Sequence, residues 1–351
     1  MDVRLSPEQQ ALRDAAAQLV DRLGPGTVAG LDDVERARRL RHAVETAGWL
    51  ELRQRAESGA PLASGVEVAI VAEELGRALA DVPFLGPTMA ADLRRRVGAG
   101  PAEAQETVLF DRTLTSPARS LHGESPAGVS VDGTEGQAAL VLLGDDTAAR
   151  WRLGLVPLRA EDNRLDLTRG SAVGSDGATL DPLEAPDTLD EDDLAAWSAL
   201  GLALTCADLV GVMRGAFELA RSYAATRRQY DAPIGSFQAI QHLLADAFVA
   251  MEGSRSVALH AAWAVDALAA PDALAAGATA KAYCVRAARS VCETSIQVHG
   301  GIGNTWDCLA HVFLRRALLS SDLFGGVDTN VGRVLAHHGL PTPVGSGHGL
   351  R

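Results

Sequence analysis

The sequence has few aromatic residues, and basic residues do not balance its acidic ones. Phe, Trp and Tyr make up 4% of the 351 residues, whereas 47% are hydrophobic. A core built from this chain therefore consists mainly of Ala, Leu and Val, of which Ala and Leu lose little freedom in helices. The formal charge of −13 argues against nucleic acid as a general partner, because phosphate binding depends on a basic surface. A local cationic site for one small anion is compatible with this balance.

Cysteines and long apolar runs are also scarce. The four thiols, Cys206, Cys284, Cys292 and Cys308, form no CxxC pair, and none lies at zinc-ligand spacing from a histidine. This pattern predicts small, buried thiols. No basic-then-apolar leader opens the chain, and no apolar run approaches the roughly 18 residues that a membrane span requires. We therefore expect a soluble protein of the reducing cytoplasm without a membrane span.

The pattern of apolar residues divides the chain into three regions. The first, residues 1–104, is predicted to be helical. LSPEQQALRDAAAQLVDRL offers Ser6 as N-cap and Pro7 at the first helical position, and GVEVAIVAEELGRALADVPF is a second helix that stops at a proline. Short apolar runs between Gly, Asp and Pro in residues 105–187 predict a small antiparallel β unit. Long helices return in residues 188–351, two of them at about 238–265 and 274–298.

Two segments of the third region are unusual. RRQYDAPIGSFQAIQHLLADAF, residues 227–248, places polar side chains and a tyrosine before a break at Pro233 and Gly235. Such a boundary is either a solvated corner or a site for an anion. SIQVHGGIGNTWDCLAHVFLRRALL, residues 295–319, has three glycines within four positions, which permit a close approach to the backbone. Taken alone, these glycines are more typical of a helix C-cap.

Together, these elements resemble the acyl-CoA dehydrogenase family. RxQ(Y/F)xxPIxxFQxxQHxLAD, about 50 residues of helix, QxHGGxG and RRA follow one another in the family's order over most of residues 190–340. EELGRALADVPF is also similar to this family. The resemblance implies an α+β fold with an N-terminal helical domain (1–104), a middle β-barrel domain (105–187) and a C-terminal four-helix bundle (188–351). It also implies FAD, a homotetramer or dimer of dimers, desaturation of an acyl-CoA, and electron-transfer flavoprotein as the acceptor.

The resemblance assigns cofactor contacts residue by residue. Arg227 and Gln229 are implied to bind the pyrophosphate of a FAD held mostly by a neighbouring subunit, where a planar guanidinium suits phosphate oxygens. Gln238 is implied to line the adenosine side. The same role is implied for a segment at the end of a long helix, consisting of Gln297, Val298, His299, Gly300 and Gly301.

The catalytic base is absent from both positions that the family uses. Its aromatic–Glu–Gly–Thr motif corresponds to LFGGVDTN, with Gly325 in place of the glutamate, and the alternative position holds Gly201. Glycine has no proton to exchange, so neither position serves as a general base. Asp208 and Asp328 are the nearest substitutes, but both are expected to be surface or capping carboxylates.

Further family motifs are degenerate. The Asp-x-x-Arg pair that grips the substrate, expected in the turn before the helix that carries position 201, corresponds to Ala199 and Leu202. The middle domain's Thr-Glu-Pro…Gly-Ser-Asp segment corresponds to LTSPARS at 114–120, and GSDG at 174–177 is interpreted as a turn. The losses affect the chain's own site, whereas the retained motifs reach a neighbour. This division resembles the non-catalytic subunit of actinobacterial α₂β₂ acyl-CoA dehydrogenases.

We therefore expect an accessory subunit that acts with a homologous partner on an acyl-CoA, for example a steroid side-chain thioester. The alternatives are a self-sufficient FAD enzyme with a displaced base, a non-enzymatic scaffold, and a flavin monooxygenase on the same fold. Because the bundle helices are apolar on more than one side, we also expect the chain to associate with another chain. The sequence does not specify the acyl group.

Overall fold

The computed structural model describes residues 4–121, 125–144, 150–161, 165–175 and 178–341. Its first region contains four helices, α1 (Pro7–Leu23), α2 (Val34–Thr46), α3 (Gly65–Arg77) and α4 (Leu85–Arg96). Ser6 caps α1 as predicted, since its side chain accepts from the N–H of Gln9 while Gln9 bonds back to Ser6. α3 ends well before the proline that was expected to stop it, because Leu79 turns the chain with a left-handed φ of 53°.

The middle region is a small barrel. Its strands are β1 (Glu106–Phe110), β2 (Arg119–Ser120), β3 (Val129–Val131), β4 (Ala138–Leu143), β5 (Arg152–Ala160), β6 (Ser171–Gly174) and β7 (Asp181–Pro182). Strands β4, β1, β3, β6 and β5 form a closed ring, because β5 also pairs with β4. Of the GSDG turn predicted at 174–177, Gly174 ends β6, and residues 176–177 lie outside the described residues.

The expectation of an antiparallel unit is wrong for part of this barrel. Both β1 and β2 run parallel to β4, whereas the remaining pairs of the barrel are antiparallel. Strand composition indicates where strands lie but not their direction, since parallel pairing depends on a long crossover connection. Here two further strands, β2 and β3, lie between β1 and β4 in the sequence.

The third region is a helical bundle. Its helices are α5 (Glu191–Thr226), α6 (Gln238–Ala267), α7 (Ala270–His299), α8 (Ala310–Asp322) and α9 (Val327–His337), and a two-stranded hairpin, β8 (Arg228–Gln229) and β9 (Ala232–Pro233), separates α5 from α6. α5, α6, α7 and α8 form the four-helix bundle, and α9 packs on α7. Asp190 caps α5 reciprocally with Asp193, in keeping with its acidic start. The four cysteines are free and buried, as predicted.

α5 is the central helix of the fold. One 18-residue window within it is apolar enough to span a membrane by length and composition, and 89% of that window is buried inside the fold. The expectation that no apolar run reaches this length is therefore wrong for α5. Its burial among other helices accounts for the composition, because a core helix is apolar on all sides.

A buried ion cluster joins the three regions. The carboxylate of Asp208 on α5 accepts hydrogen bonds from Arg316 of α8 at 2.7 and 3.0 Å, and Arg169, which lies between β5 and β6, pairs with it at 3.0 Å. Arg316 also donates to the carbonyl of Ala80, which follows α3, at 3.0 Å. Helices, barrel and bundle therefore meet at a single carboxylate.

Candidate functional site

The residues predicted to bind the flavin tail lie at one end of the bundle, which we call the tail end. An apolar cluster joins the end of α5, the start of α6 and the end of α7 there; it contains Ala220, Tyr223, Ala224, Ile234, Ile240, Leu244 and Val298. Positions 227–238 and 297–301 flank this cluster in sequence. The structure therefore brings the two predicted segments to the same end of the bundle.

A tight hairpin explains why α5 stops. Tyr230 and Asp231 have φ values of 50° and 63°, and two successive left-handed residues form the type I′ turn that suits a two-residue hairpin loop. Arg227 already has an extended backbone, and its carbonyl accepts from the N–H of Ile234 at 2.8 Å. The hairpin thus folds back on the helix end, and Arg227 and Gln229 remain exposed.

The polar side chains predicted to hold the flavin tail form no side-chain hydrogen bonds or ion pairs with the rest of the described fold. In the described part of the chain, Arg227, Gln229, Gln238 and Gln297 are all exposed and make no side-chain hydrogen bond or ion pair. Arg228, in contrast, donates to a backbone carbonyl within the hairpin. One guanidinium and three amides at the tail end are therefore free to bind a ligand or another chain.

The rest of the predicted set is divided between packing and surface. Val298 belongs to the buried apolar cluster. His299 is also buried: its Nδ1 lies 2.7 Å from the carbonyl oxygen of Ser295, and its ring stacks on that of Tyr223 at 4.4 Å. Gly300 has a φ of 64°, and a Cβ on it or on Gly301 would meet open space. A role in FAD binding stays a prediction for all eight residues.

Neither of the two glycines that the resemblance aligns with a catalytic base has room for a side chain as the fold stands. A Cβ at Gly201 would lie 2.0–2.5 Å from three ring atoms of Phe324. Gly325 has a φ of 86°, and a Cβ there would lie 2.7 Å from Thr329. The ring of Phe324, which is fully buried, thus fills the space in front of Gly201. A carboxylate at position 201 requires that this ring move or be removed.

Phe324 belongs to a buried aromatic cluster, which we call the aromatic chamber. Its ring centroid lies 5.2 Å from that of Phe110 on β1 and 5.3 Å from that of Trp197 on α5, and the latter two are 6.1 Å apart. Trp197 donates its indole N–H to the carbonyl of Met89 on α4 at 3.0 Å. Side chains from α5, β1 and the turn after α8 therefore meet next to Gly201, and α4 contacts them through a backbone carbonyl.

The turn that carries Phe324 is held in place from the helix α7 and from the barrel. Lys281 of α7 donates to the carbonyl of Leu323 at 2.7 Å and also to that of Ser320. The N–H of Phe324 donates to the carbonyl of Leu114 at 2.7 Å. Burial lowers the pKa of the Lys281 ammonium to about 8, despite nearby thiols and carboxylates. A lysine that is buried away from water thus holds this turn in place.

α9 holds the same turn from the other side. Asn330 donates to the carbonyls of Gly325 and Gly326 at 2.8 and 2.9 Å, and Arg333 donates to the carbonyl of Phe324 at 2.6 Å. Phe324 itself has a left-handed φ of 60°, a conformation that non-glycine residues adopt only where surrounding contacts impose it. The bonds from α7, the barrel and α9 supply those contacts.

The two acids considered as substitute bases differ in environment. Burial would raise the pKa of the Asp208 carboxyl, but the guanidinium groups of Arg169 and Arg316 outweigh it and hold that pKa below its usual range. A carboxylate paired in this way is a poor proton acceptor. The expectation of a surface or capping role for Asp208 is wrong, because this part of α5 is fully buried. Asp328, as expected, is an exposed carboxylate in the first turn of α9.

The positions that correspond to the substrate grip also lie inside α5. Ala199 and Leu202 are buried apolar residues, and the prediction that they precede the helix is wrong, because α5 begins at Glu191. The degenerate segment 114–120 runs from the Leu114 carbonyl, which binds the Phe324 turn, into strand β2. Neither Ala199 nor Leu202 provides a charged group for a substrate.

Sequence reasoning predicted that glycines stand at the two base positions, but it did not predict that the Phe324 ring fills the space in front of Gly201. The aromatic chamber joins residues far apart in the chain, so no local period reveals it. The available signal was composition: the chain has only seven phenylalanines and five tryptophans, and Phe324 directly precedes Gly325, which the resemblance aligns with the glutamate. Among the residues that the structure describes, no group of three or more His, Cys, Asp or Glu side chains could hold a metal ion.

The chain is similar to several known proteins. Residues 200–336 match the family model described as acyl-CoA dehydrogenase, C-terminal domain. Acyl-CoA dehydrogenase IpdE2 of Mycobacterium tuberculosis is 30% identical over 329 residues, which cover 90% of this chain and 92% of the relative. A chain in the structure of the ChsE4-ChsE5 complex from Mycobacterium tuberculosis superimposes with a TM-score of 0.77 at 25% identity, over 97% of this chain and 99% of that chain. A structure described as the Tcur3481-Tcur3483 steroid ACAD has a TM-score of 0.76 at 22% identity, over 95% and 98% of the two chains.

Proposed function

Because this chain belongs to the acyl-CoA dehydrogenase family, we propose that it is the accessory subunit of a heteromeric, FAD-dependent acyl-CoA dehydrogenase. Gly201 carries the proposal: the ring of Phe324 lies 2.0 Å from the point where a catalytic side chain at this position would begin. Proton abstraction from the acyl thioester belongs to a homologous catalytic subunit, since general-base catalysis requires a carboxylate within hydrogen-bonding reach of that proton. This chain contributes to the cofactor site of that partner.

FAD is the redox cofactor of this family, and the tail end fits part of it. When bound, FAD accepts the hydride from the β-carbon of the acyl thioester. Arg227 offers a free guanidinium for the pyrophosphate, and such a charge-assisted contact is stronger than a neutral one. Gln229, Gln238 and Gln297 offer amides that have no partner in the described fold. This chain therefore binds and orients the tail, and it moves no proton.

The surface around the tail end supports association with another subunit. Tyr230 at the hairpin tip is 92% exposed and Trp306 after α7 is 65% exposed, and α6 presents Phe248 and Val249. Exposed aromatic and apolar side chains in a group mark interaction surfaces. The ChsE4-ChsE5 structure is a complex of two different proteins, which favours a heteromeric assembly of this chain over a homotetramer.

In this proposal, the partner subunit and not this chain determines which acyl-CoA is bound. We infer that the assembly acts on a bulky acyl-CoA, with steroid-derived thioesters as the first candidates because one structure of this fold is described as a steroid ACAD. Electron-transfer flavoprotein is the proposed acceptor of the electrons. Within this chain, the chamber next to Gly201 is lined by aromatic rings, and the Phe324 ring occupies the space directly in front of that glycine.

The test is the number of flavins per chain. We expect the chain expressed alone to retain little FAD and to show negligible acyl-CoA oxidation. Coexpressed with its catalytic partner, the FAD-saturated complex should contain one FAD per two chains. Flavin released by denaturation is measured at 450 nm and divided by the protein concentration from amino-acid analysis. A ratio near one per chain would identify a self-sufficient flavoenzyme instead, and a complex without flavin would identify a scaffold.

A further inference from the structure

One of the three rings of the aromatic chamber, that of Phe324, comes from a turn, whereas the other two come from a strand and a helix. Phe110 and Trp197 belong to regular elements, β1 and α5, and the Trp197 indole donates to the backbone carbonyl of Met89 on α4. Phe324 instead enters from a turn between two helices, and its ring is the part of the chamber that faces Gly201. The three rings are in offset or edge-on contact, at centroid distances typical of favourable aromatic pairs.

Hydrogen bonds from three parts of the fold hold the turn that carries this ring. Its N–H and carbonyl groups are bound by Leu114, Lys281, Asn330 and Arg333. These bonds come from the segment after β1, from α7 and from α9. These bonds fix the backbone of the turn, so moving the turn outwards with its ring would break several of them in a buried environment, where an unmade hydrogen bond is costly. The arrangement is therefore a fixed closure rather than a movable gate.

We propose that the aromatic chamber is this chain's own acyl site, closed by Phe324 as a built-in plug, and that it is latently able to hold one small, flat, apolar molecule. The term acyl site depends on the proposed function, whereas the ligand-binding property depends only on the geometry. With the Phe324 ring deleted, Phe110 and Trp197 remain as two aromatic walls. An apolar cavity of this kind stays dry and binds molecules such as benzene.

The experiment uses Phe324→Ala in the full chain, purified with its partner subunit, and benzene as the probe. We expect the melting temperature of the variant to fall, and then to rise by about 2 °C or more at saturating benzene, because a ligand that binds only the folded state stabilises it. Titration calorimetry should give about one benzene per copy of this chain. The unmodified protein should not respond.

Phe313→Ala is the matched control. The Phe313 ring fills the space at Gly215 in the same way, 2.5 Å from the position of a Cβ, and also packs on α5. Deleting it removes the same number of atoms outside the chamber. We expect a lower melting temperature and no comparable benzene response. An equal response in Phe313→Ala would show that any buried phenylalanine gives this result, and it would overturn the proposal.

A second variant covers the case in which Phe324→Ala does not fold. Phe324→Val leaves a smaller void that xenon matches, and binding is detected by ¹²⁹Xe NMR. Collapse of the chamber in both variants, with neither probe bound, would overturn the proposal. The outcome is independent of the flavin ratio: benzene binding together with one FAD per chain would reject the accessory-subunit function and leave the plug in place.

Discussion

The tail end and the aromatic chamber lie near opposite ends of α5, and their side chains are in opposite states. At the tail end, Arg227 and three glutamines are exposed and have no partner in the described chain. In the chamber, Phe324 is fully buried, and its turn is bound through nearly every polar backbone atom. The first region has polar groups without a partner in the described chain, and the second is filled by a buried aromatic ring. In the proposed function, the tail end keeps a binding role while a single residue closes the chamber.

The largest effect is expected where the chamber is opened. Phe324→Ala should lower the free energy of unfolding by about 3–5 kcal/mol, because it leaves a cavity among large rings. Gly201→Ala should cost about 1–3 kcal/mol on its own, since the new methyl group overlaps the Phe324 ring. Urea unfolding of both variants and of the double variant measures whether the two sites share the same space.

The double variant sharpens this test. Gly201→Ala with Phe324→Ala should be less destabilised than the sum of the single variants by about 1–3 kcal/mol, because the methyl group enters space that the ring has left. Gly201→Ala combined with Phe313→Ala is the control and should be additive within about 0.5 kcal/mol. Additivity in both pairs would mean that Phe324 does not occupy the place of a side chain at 201.

A smaller effect, specific to the chamber, is expected from pH. Burial lowers the folded-state pKa of Lys281 from 10.5 to about 8, so between these values the unfolded chain binds more protons than the folded one. The contribution of this group to stability is therefore unfavourable below pH 8 and improves as pH rises towards 10.5. Lys281→Met removes the titration. Urea unfolding from pH 7 to 10 should show wild type gaining stability relative to the variant, and a constant difference would contradict the assignment.

At the tail end, the expected effect is on the cofactor and not on the fold. Arg227→Ala in the assembled complex should weaken FAD binding by about ten- to hundredfold, equivalent to about 1.5–3 kcal/mol, because it removes a charge-assisted phosphate contact. Melting temperature without FAD should be unchanged. Arg228→Ala is the control, since that side chain bonds within the hairpin. Fluorescence titration of the flavin-free complex measures both, and equal affinities for wild type and Arg227→Ala would reject the contact.

The smallest effect is expected at the surface around the tail end. Val249→Asp on α6 should weaken association with the partner about tenfold, because the exposed apolar face of α6 is proposed as the interface. Val34→Asp on α2 is a matched control: Val249 and Val34 are 68% and 79% exposed. Sedimentation velocity against partner concentration compares the two. A chain that stays monomeric at micromolar concentration even with its partner would contradict the association.

Local features of the fold were predictable, and long-range contacts were not. Ser6 and the acidic start of α5 are visible as caps, and the helices predicted at 238–265 and 274–298 lie within α6 and α7. Retained motifs also gave the family, because spaced elements in a fixed order constrain one another. The plug was not predictable, since the contact of Phe324 with Gly201 spans most of the bundle sequence. The burial of Asp208 was missed for the same reason: its partners lie in the barrel region and on α8.

The ion cluster at Asp208 also limits how this protein can be divided. A fragment that begins at α5 would keep Asp208 and Arg316 but lose Arg169 and the Ala80 carbonyl. Removal of one partner from a buried ion pair is strongly destabilising, since the remaining charge stays uncompensated. The bundle is therefore a poor choice for separate expression, although its helices look self-sufficient. Limited proteolysis of the native chain should likewise release no long-lived helical core.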